Sequence, residues 1–369
     1  MIHPEPGRCP EESLRRWAGS LLAGSRPSRP LAAGVNLTRD FLRSHGIEPS
    51  LVEKARTDPT LKRALPDESS LEHCVAVEMA RQTEFISVIR ALQAQCPSHP
   101  PVFLKGQALA YVLYPQPWLR SRSDIDALVP RDSIHAITNV LRTRGYRPAN
   151  AIDGDLVLRQ MSLAKRQYGI DHIWDVHWSI SNRPAFQDLL SYKHLLDTGT
   201  PVTVEDVTFM VPNTVSNLLI ACLHLVGHHA HDVRLVWLYD MHLLAERMSE
   251  SQKQEFLDLA GGRPEIGAAC HAALSLTGKY LLSQATAGLE RALDPGPKHR
   301  LRLKRFYVAR LFEDARAMDR TNRYRFARQH LFPSAAYMKE RFGLKYSWQV
   351  PVWYVVRIGR AIPKLFRRR

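Results

Sequence analysis

The stretch IWDVHWSI, residues 173–180, constrains the fold more than any other part of the chain. Trp174, Val176 and Trp178 alternate with Asp175 and His177. A period of two is that of a β-strand, whose successive side chains point to opposite faces. One face is bulky and apolar and has to be buried. The other carries a carboxylate and an imidazole together. The sheet that holds this strand therefore has a covered face and a polar one. The plain account of the polar pair is a hydrogen bond between Asp175 and His177 at a solvated surface. The other account is a site that performs chemistry.

The segment LKGQALAYVLYPQPWLRSRSDIDALV, residues 104–129, favours the second. Asp124–Val129 alternates like a strand, which puts Asp124 and Asp126 on one face and Ile125 and Ala127 on the other. Neighbouring carboxylates repel each other unless a cation neutralises them. Oxygen ligands of this kind suit magnesium, which binds through one or two carboxylates plus substrate phosphates. Asp175, on an adjacent strand, is the candidate third carboxylate. Upstream, Val102–Leu104 is predicted as a short strand and Gln107–Leu113 as a helix. Lys105 and Gly106 make the turn between them. A glycine there lets backbone N–H groups approach a phosphate, and the helix N-terminus favours negative charge. Arg120 and Arg122 precede the two aspartates, where guanidinium groups can reach phosphate oxygens. Lys105, Gly106, Gln107, Arg120, Arg122 and Ser123 form the candidate nucleotide-binding set.

The surrounding pattern sets the fold class. A helix is predicted over Ser70–Gln95, closed by the loop QCPSHPP, and another over Ser133–Arg144, ended by Gly145. Strands are predicted over Val157–Arg166 and Ile170–Ile180. From Pro212 onward the pattern is helical: the stretch NLLIACLHLVGHHA, then 234–248, 251–260, 264–283, 298–330 and 334–341. Residues 1–35 read as loosely ordered with one short helix at 11–23, and 36–66 as short helices broken by Pro49, Pro59 and Pro66. The strand–helix order of 102–180 is that of an α/β or α+β protein, and with the long helical part after it α+β is the class expected. A small mixed-sheet core at 100–211 is flanked by a helical region at 36–99 and a helical domain at 212–345. A basic aromatic tail, 346–369, follows.

Charge is unevenly spread. The 369 residues carry a formal net charge of +15, yet residues 298–369 alone hold 20 Lys/Arg against 4 Asp/Glu. The rest of the chain is close to neutral. A basic end suits an anionic partner or a solvated helical surface. With 45% hydrophobic and 24% charged residues, the chain is not wholly disordered, and no apolar run reaches the roughly 20 residues that span a bilayer. The start shows no secretory pattern. The 5 cysteines are an odd number with no CxxC, which argues against a disulfide framework or a cysteine zinc site and fits a reducing cytoplasm.

Together, LKGxxLAxxLYPxPxLRxxSDIDxLV and the later DxHW strand resemble the bacterial uncharacterised nucleotidyltransferase family. That family is part of the nucleotidyltransferase superfamily of DNA polymerase beta and the aminoglycoside nucleotidyltransferases. HLVGHHAHDVRLVWLYDMHLL is similar to the family's His-containing helix and the segment after it, and HLFPSAAYMKERFG to its late segment. The resemblance implies a nucleotidyltransferase core and magnesium-dependent transfer of a nucleotidyl group from an NTP, with ATP the expected donor. Asp124, Asp126 and Asp175 would be the catalytic and metal-binding carboxylates, holding one or two Mg2+ ions. His177, His224, His228, Arg234 and Asp240 would contact the acceptor, a small molecule, glycan or peptide in polysaccharide or modified-peptide biosynthesis. Gln107 stands where many superfamily members have Ser.

Three further readings stand beside this one. His224 and His228 share a helix face at a spacing zinc can use, but no Glu follows the first His as in HExxH, so they read as lining a cleft. The same fold could serve as a non-catalytic nucleotide-binding or scaffolding protein. Nucleic acid is the weaker candidate for the basic end, since no RNA-binding motif is present. The tail itself combines Trp348, Trp353, Tyr354 and several valines with arginines and no acid. It suits either an anionic membrane surface or a groove in its own fold.

Overall fold

A computed structural model describes residues 10–24, 37–65, 69–149, 159–229, 232–296, 314–316 and 318–365. The first nine residues and the PR-rich stretch 25–36, the start of the strand expected from Val157, His231, most of the first half of the helix expected over 298–330 and the last four residues lie outside the described set. The architecture is α+β. The chain divides into two compact units. One comprises residues up to Thr83, Lys105–Arg122 and Thr214–Leu301; the other comprises Glu84–Leu104, Ser123–Asn213 and residues from Arg302 onward.

The second, the sheet unit, is built on seven strands: β1 (Val102–Leu104), β2 (Ile125–Leu128), β3 (Arg147–Pro148), β4 (Gln160–Gln167), β5 (Ile170–His177), β6 (Thr200–Val204) and β7 (Val207–Val211). Their order is β3-β4-β5-β2-β1-β7-β6. β5 lies parallel to β2, β2 antiparallel to β1, and β1 parallel to β7. The mixed sheet is the one expected, with differences at its edges. β2 begins at Ile125, so Asp124 sits just before the strand. β5 stops at His177, short of Ile180. The β6–β7 hairpin has no counterpart in the sequence reading.

The apolar face of the sheet is held by aromatic rings. Trp174 and Val176 are fully buried. Phe85 of the helix Ser69–Gln95 meets Phe103 of β1 at 4.9 Å, Phe209 of β7 at 5.2 Å and Trp174 of β5 at 6.0 Å between centroids. Each such ring removes a large apolar area from water, and edge-to-face geometry adds to it. β2 leads into the helix Ile134–Thr143, which buries Ile137, Val140 and Leu141. It ends at Gly145, with φ +91°, a conformation that costs glycine little and other residues more.

The helical unit contains Pro10–Leu22, Arg39–Ser44, Glu48–Ala55, Pro59–Ala64, the start of Ser69–Gln95, Lys105–Leu113, Thr214–His228, Leu235–Arg247, Glu250–Gly261, Pro264–Leu281 and Gln284–Ala292. Pro49 and Pro59 open helices and do not break them: in the first turn the missing N–H would have no partner anyway. The core is aliphatic, with Leu218, Leu219, Leu225, Leu238, Met241 and Leu274 at most 1% exposed. The four described cysteines are free thiols. No helix among the described residues is long and apolar enough to cross a membrane.

Candidate active site

Register on the polar face of the sheet creates the first cluster. Across the parallel β2–β5 pair, Asp126 stands opposite Asp175 and Leu128 opposite His177. Partners in register point to the same face, and i, i+2 residues share it. One ligand atom from each of Asp126, Asp175 and His177 therefore falls within 4.8 Å of the others. Asp126 and His177 are each 4% exposed, and Asp175 is half-buried. His177 Nε2 lies 2.8 Å from Asp126 Oδ1. An ionised carboxylate only accepts, so in this pair the imidazole donates.

Asp175 is held from the neighbouring strand. Ser162, directly opposite it on β4, donates its hydroxyl to Oδ1 at 2.5 Å. Gln160 Nε2 donates to Oδ2 at 3.0 Å. Asn182 Nδ2 in turn donates to Gln160 Oε1 at 3.1 Å, and the Arg159 backbone N–H donates to Asn182 Oδ1 at 2.7 Å. These donors are neutral. They fix the carboxylate without cancelling its charge, and each oxygen keeps lone-pair capacity beyond the bond it accepts. Two carboxylates at adjacent positions on a largely buried face fit a bound cation, which would offset their repulsion. Asp124 is half-buried and accepts a hydrogen bond from the Ser123 hydroxyl at 3.0 Å.

The second cluster lies in the helical unit and contains most of the candidate phosphate-binding residues. Lys105 starts the helix Lys105–Leu113 with φ +52°, a left-handed conformation that costs a side-chain-bearing residue roughly 1–2 kcal/mol. At Gly106 an added Cβ would lie 2.4 Å from Arg120 Nη1. The absence of a side chain is what lets that guanidinium in. Arg120 does not face solvent: its Nη2 donates to Asp240 Oδ2 at 2.7 Å, and the Tyr114 hydroxyl donates to Asp240 Oδ1 at 2.8 Å. Burial, reinforced by the Asp240 charge, holds the Tyr114 phenol well above its usual range. Arg122 is buried too. Its Nε donates to Glu78 Oε2 and its Nη1 to Gln107 Oε1, both at 3.1 Å. Arg81 donates to Glu78 Oε1 at 2.8 Å and to the Arg122 carbonyl. Both loop arginines expected on phosphate are thus turned onto buried carboxylates. Three donors of this cluster, Arg122 Nη2, Gln107 Nε2 and Arg81 Nε, are buried without a hydrogen-bond acceptor among the described residues.

Residues 37–281, more than half of the chain, match the model of the uncharacterised nucleotidyltransferase family. The chain belongs to that family. It is a transferase of nucleotidyl groups, and its carboxylate–imidazole cluster is of the kind that can bind a metal ion. No curated protein and no solved structure gives a match.

In this nucleotidyltransferase the remaining candidate residues fall in the helical unit. His224 and His228 share one face of the helix Thr214–His228, with ring centroids 5.5 Å apart. The His229 ring sits 4.7 Å from His224 and 4.4 Å from Trp237. Arg234 lies over the Trp237 ring at 5.5 Å and donates to the Ser44 carbonyl at 2.8 Å. Asp240, expected on substrate, is 1% exposed and accepts from Arg120 and Tyr114. Sequence reasoning missed Ser162, Gln160 and Asn182 around Asp175, and Glu78 and Arg81 around Arg122. The β4 alternation could have pointed to Ser162. Nothing local singles out Glu78, which lies in a long helix among other charged residues.

Proposed function

We propose that this nucleotidyltransferase attaches a nucleotidyl group from an NTP, ATP being the first candidate, to a hydroxyl or phosphate of a glycan, peptide or small-molecule acceptor. The acceptor oxygen attacks the α-phosphorus, the bond to the β-phosphate oxygen breaks, and pyrophosphate leaves. Asp126 and Asp175, with Asp124 beside them in sequence, are the residues assigned to hold divalent metal, Mg2+ in the first instance. Such an ion offsets the triphosphate charge and stabilises the attacking and leaving oxygens. Asp175, fixed by Ser162 and Gln160, is assigned the acceptor's proton. The His177 N–H orients Asp126. A cytoplasmic setting agrees with free thiols at the four described cysteines.

The observation that carries this reading is the pairing of Asp126 with Asp175 in register, with His177 on the same face. The test is isothermal calorimetry of each NTP with and without Mg2+, followed by incubation with labelled NTP and candidate acceptors. Metal-dependent NTP binding, a mass increase on an acceptor and pyrophosphate release are expected. Absence of metal-dependent NTP binding would overturn the reading in favour of a non-catalytic scaffold.

A further inference from the structure

The C-terminal helix Val350–Leu365 of the sheet unit has two different faces. It takes in both Pro351 and Pro363. Pro351 falls in the first turn, where it is tolerated. One face docks on the preceding helices Arg320–Leu331 and Ala335–Phe342. Val350 is 5% exposed. The Trp353 ring lies 4.8 Å from Phe342, and Tyr354 packs on Phe332 at 5.5 Å while its hydroxyl donates to the Pro333 carbonyl. Arg357 donates to the carbonyls of His330 and Leu331 at 2.6 and 3.2 Å. At 100° per residue, Val350, Tyr354 and Arg357 share one side and Trp353 borders it.

The other face is apolar and open. Val352, Val355 and Gly359 follow the i, i+3, i+7 spacing of a stripe pointing away from the docked side. Val352 is 58% and Val355 72% exposed, and Trp348, one turn earlier, is 72% exposed. Tyr346, Leu331 and Phe332 add exposed apolar surface to the same segment. The setting is strongly cationic: residues 320–369 contain 13 Lys/Arg and a single acid, Glu340. The segment lies beyond residues 37–281 that define the family match.

We propose that this stripe seats on an anionic lipid surface, with the helix lying in the interfacial plane. Docking on its own fold and contact with a membrane are then not rivals, because they use opposite faces. Aliphatic side chains and a tryptophan on a segment of this charge suit the boundary between headgroups and acyl chains, where an anionic surface attracts the segment's cations. Nucleic acid is the poorer occupant, since valines offer no stacking surface for bases.

The experiment is co-sedimentation of the full chain with vesicles of phosphatidylcholine alone or phosphatidylcholine mixed with phosphatidylglycerol. The triple variant Trp348→Ala, Val352→Ser, Val355→Ser is measured alongside, with its melting temperature and its oligomeric mass. Wild type should sediment with the anionic vesicles and not with the neutral ones. The variant should bind at least about tenfold more weakly, as expected when apolar burial worth one side chain or more is removed, and should melt like wild type. Failure of wild type to sediment overturns the proposal. Equal sedimentation of both proteins does so too, because charge alone would then explain binding. If wild type is a dimer that the variant disrupts and neither binds vesicles, the stripe is a contact between copies of this chain. Loss of RNA binding in the variant without loss of vesicle binding would assign it to nucleic acid.

Discussion

The two units bury charge for opposite purposes. In the helical unit, Arg120 is matched to Asp240, and Arg122 and Arg81 to Glu78. Each of these carboxylates meets a guanidinium; the Arg120–Asp240 and Arg122–Glu78 pairs join distant segments of that unit, while Arg81 lies one turn from Glu78 on the same helix. In the sheet unit, Asp126 and Asp175 are placed side by side, and the bonds traced to them come from a serine, a glutamine and an imidazole. The first arrangement uses electrostatics to hold a fold. The second keeps negative charge concentrated where a cation and a triphosphate can use it. Asp175 carries the contrast: a carboxylate met by a guanidinium, as Asp240 and Glu78 are, is satisfied, whereas the serine and glutamine on Asp175 aim it.

Substitution separates the two arrangements most sharply at the paired aspartates. Asp126→Asn or Asp175→Ala should lower the transfer rate about 10³-fold or more, while the melting temperature stays level or rises because like charges are separated. Initial rates and thermal melts of purified variants check this. A large loss of stability in both would place the sheet cluster in the same class as the helical one. Conversely, Arg120→Ala should destabilise the protein by about 3–5 kcal/mol in urea unfolding, since Asp240 would be left buried without its cation. Adding Asp240→Leu to Arg120→Met should recover most of that loss, because an apolar pair no longer buries a lone charge.

A smaller effect sharpens the claim about neutral donors. Ser162→Ala should weaken Mg2+ or Mn2+ binding by about tenfold to a hundredfold in calorimetry, with the melting temperature unchanged. Unchanged metal affinity would mean that Ser162 does not aim Asp175. The smallest effect tests the helical unit through pH. Burial, with Arg15 and Arg234 nearby, pushes His45 down to about 4, although Glu11 and Asp232 act in the other direction. The folded state therefore holds His45 neutral while the unfolded chain takes up a proton below about 6.5. Stability should fall as pH drops from about 6.5 to about 4, by about 1–2 kcal/mol, and level off below. His45→Gln should lose less over the same range in paired melts, and an identical slope would remove His45 as the cause.

The sequence by itself determined the local pieces. Alternation in IWDVHWSI and SDIDALV set two strands with apolar and polar faces, and periodicity set the helices Thr214–His228, Leu235–Arg247, Glu250–Gly261 and Pro264–Leu281. Asp126, Asp175 and His177 were legible because strand period decides which side chains share a face; Asp124, given the same face by alternation, precedes the strand. The hairpin Thr200–Val211 was not, although TPVTVEDVTFMV alternates, because two short strands look like loop until a neighbouring strand takes their hydrogen bonds. Tertiary structure alone decided the β2–β5 register, which set Asp126 opposite Asp175 and brought His177 to Asp126 instead of Asp175. It also decided the fate of Arg120 and Arg122. A guanidinium in a loop motif can meet phosphate or carboxylate equally well, and its actual partners, Asp240 and Glu78, lie 120 and 44 residues away in the chain. Strand and helix periods are properties of a few consecutive residues; a buried ion pair depends on which distant segments share a low-dielectric interior, and no local pattern encodes that.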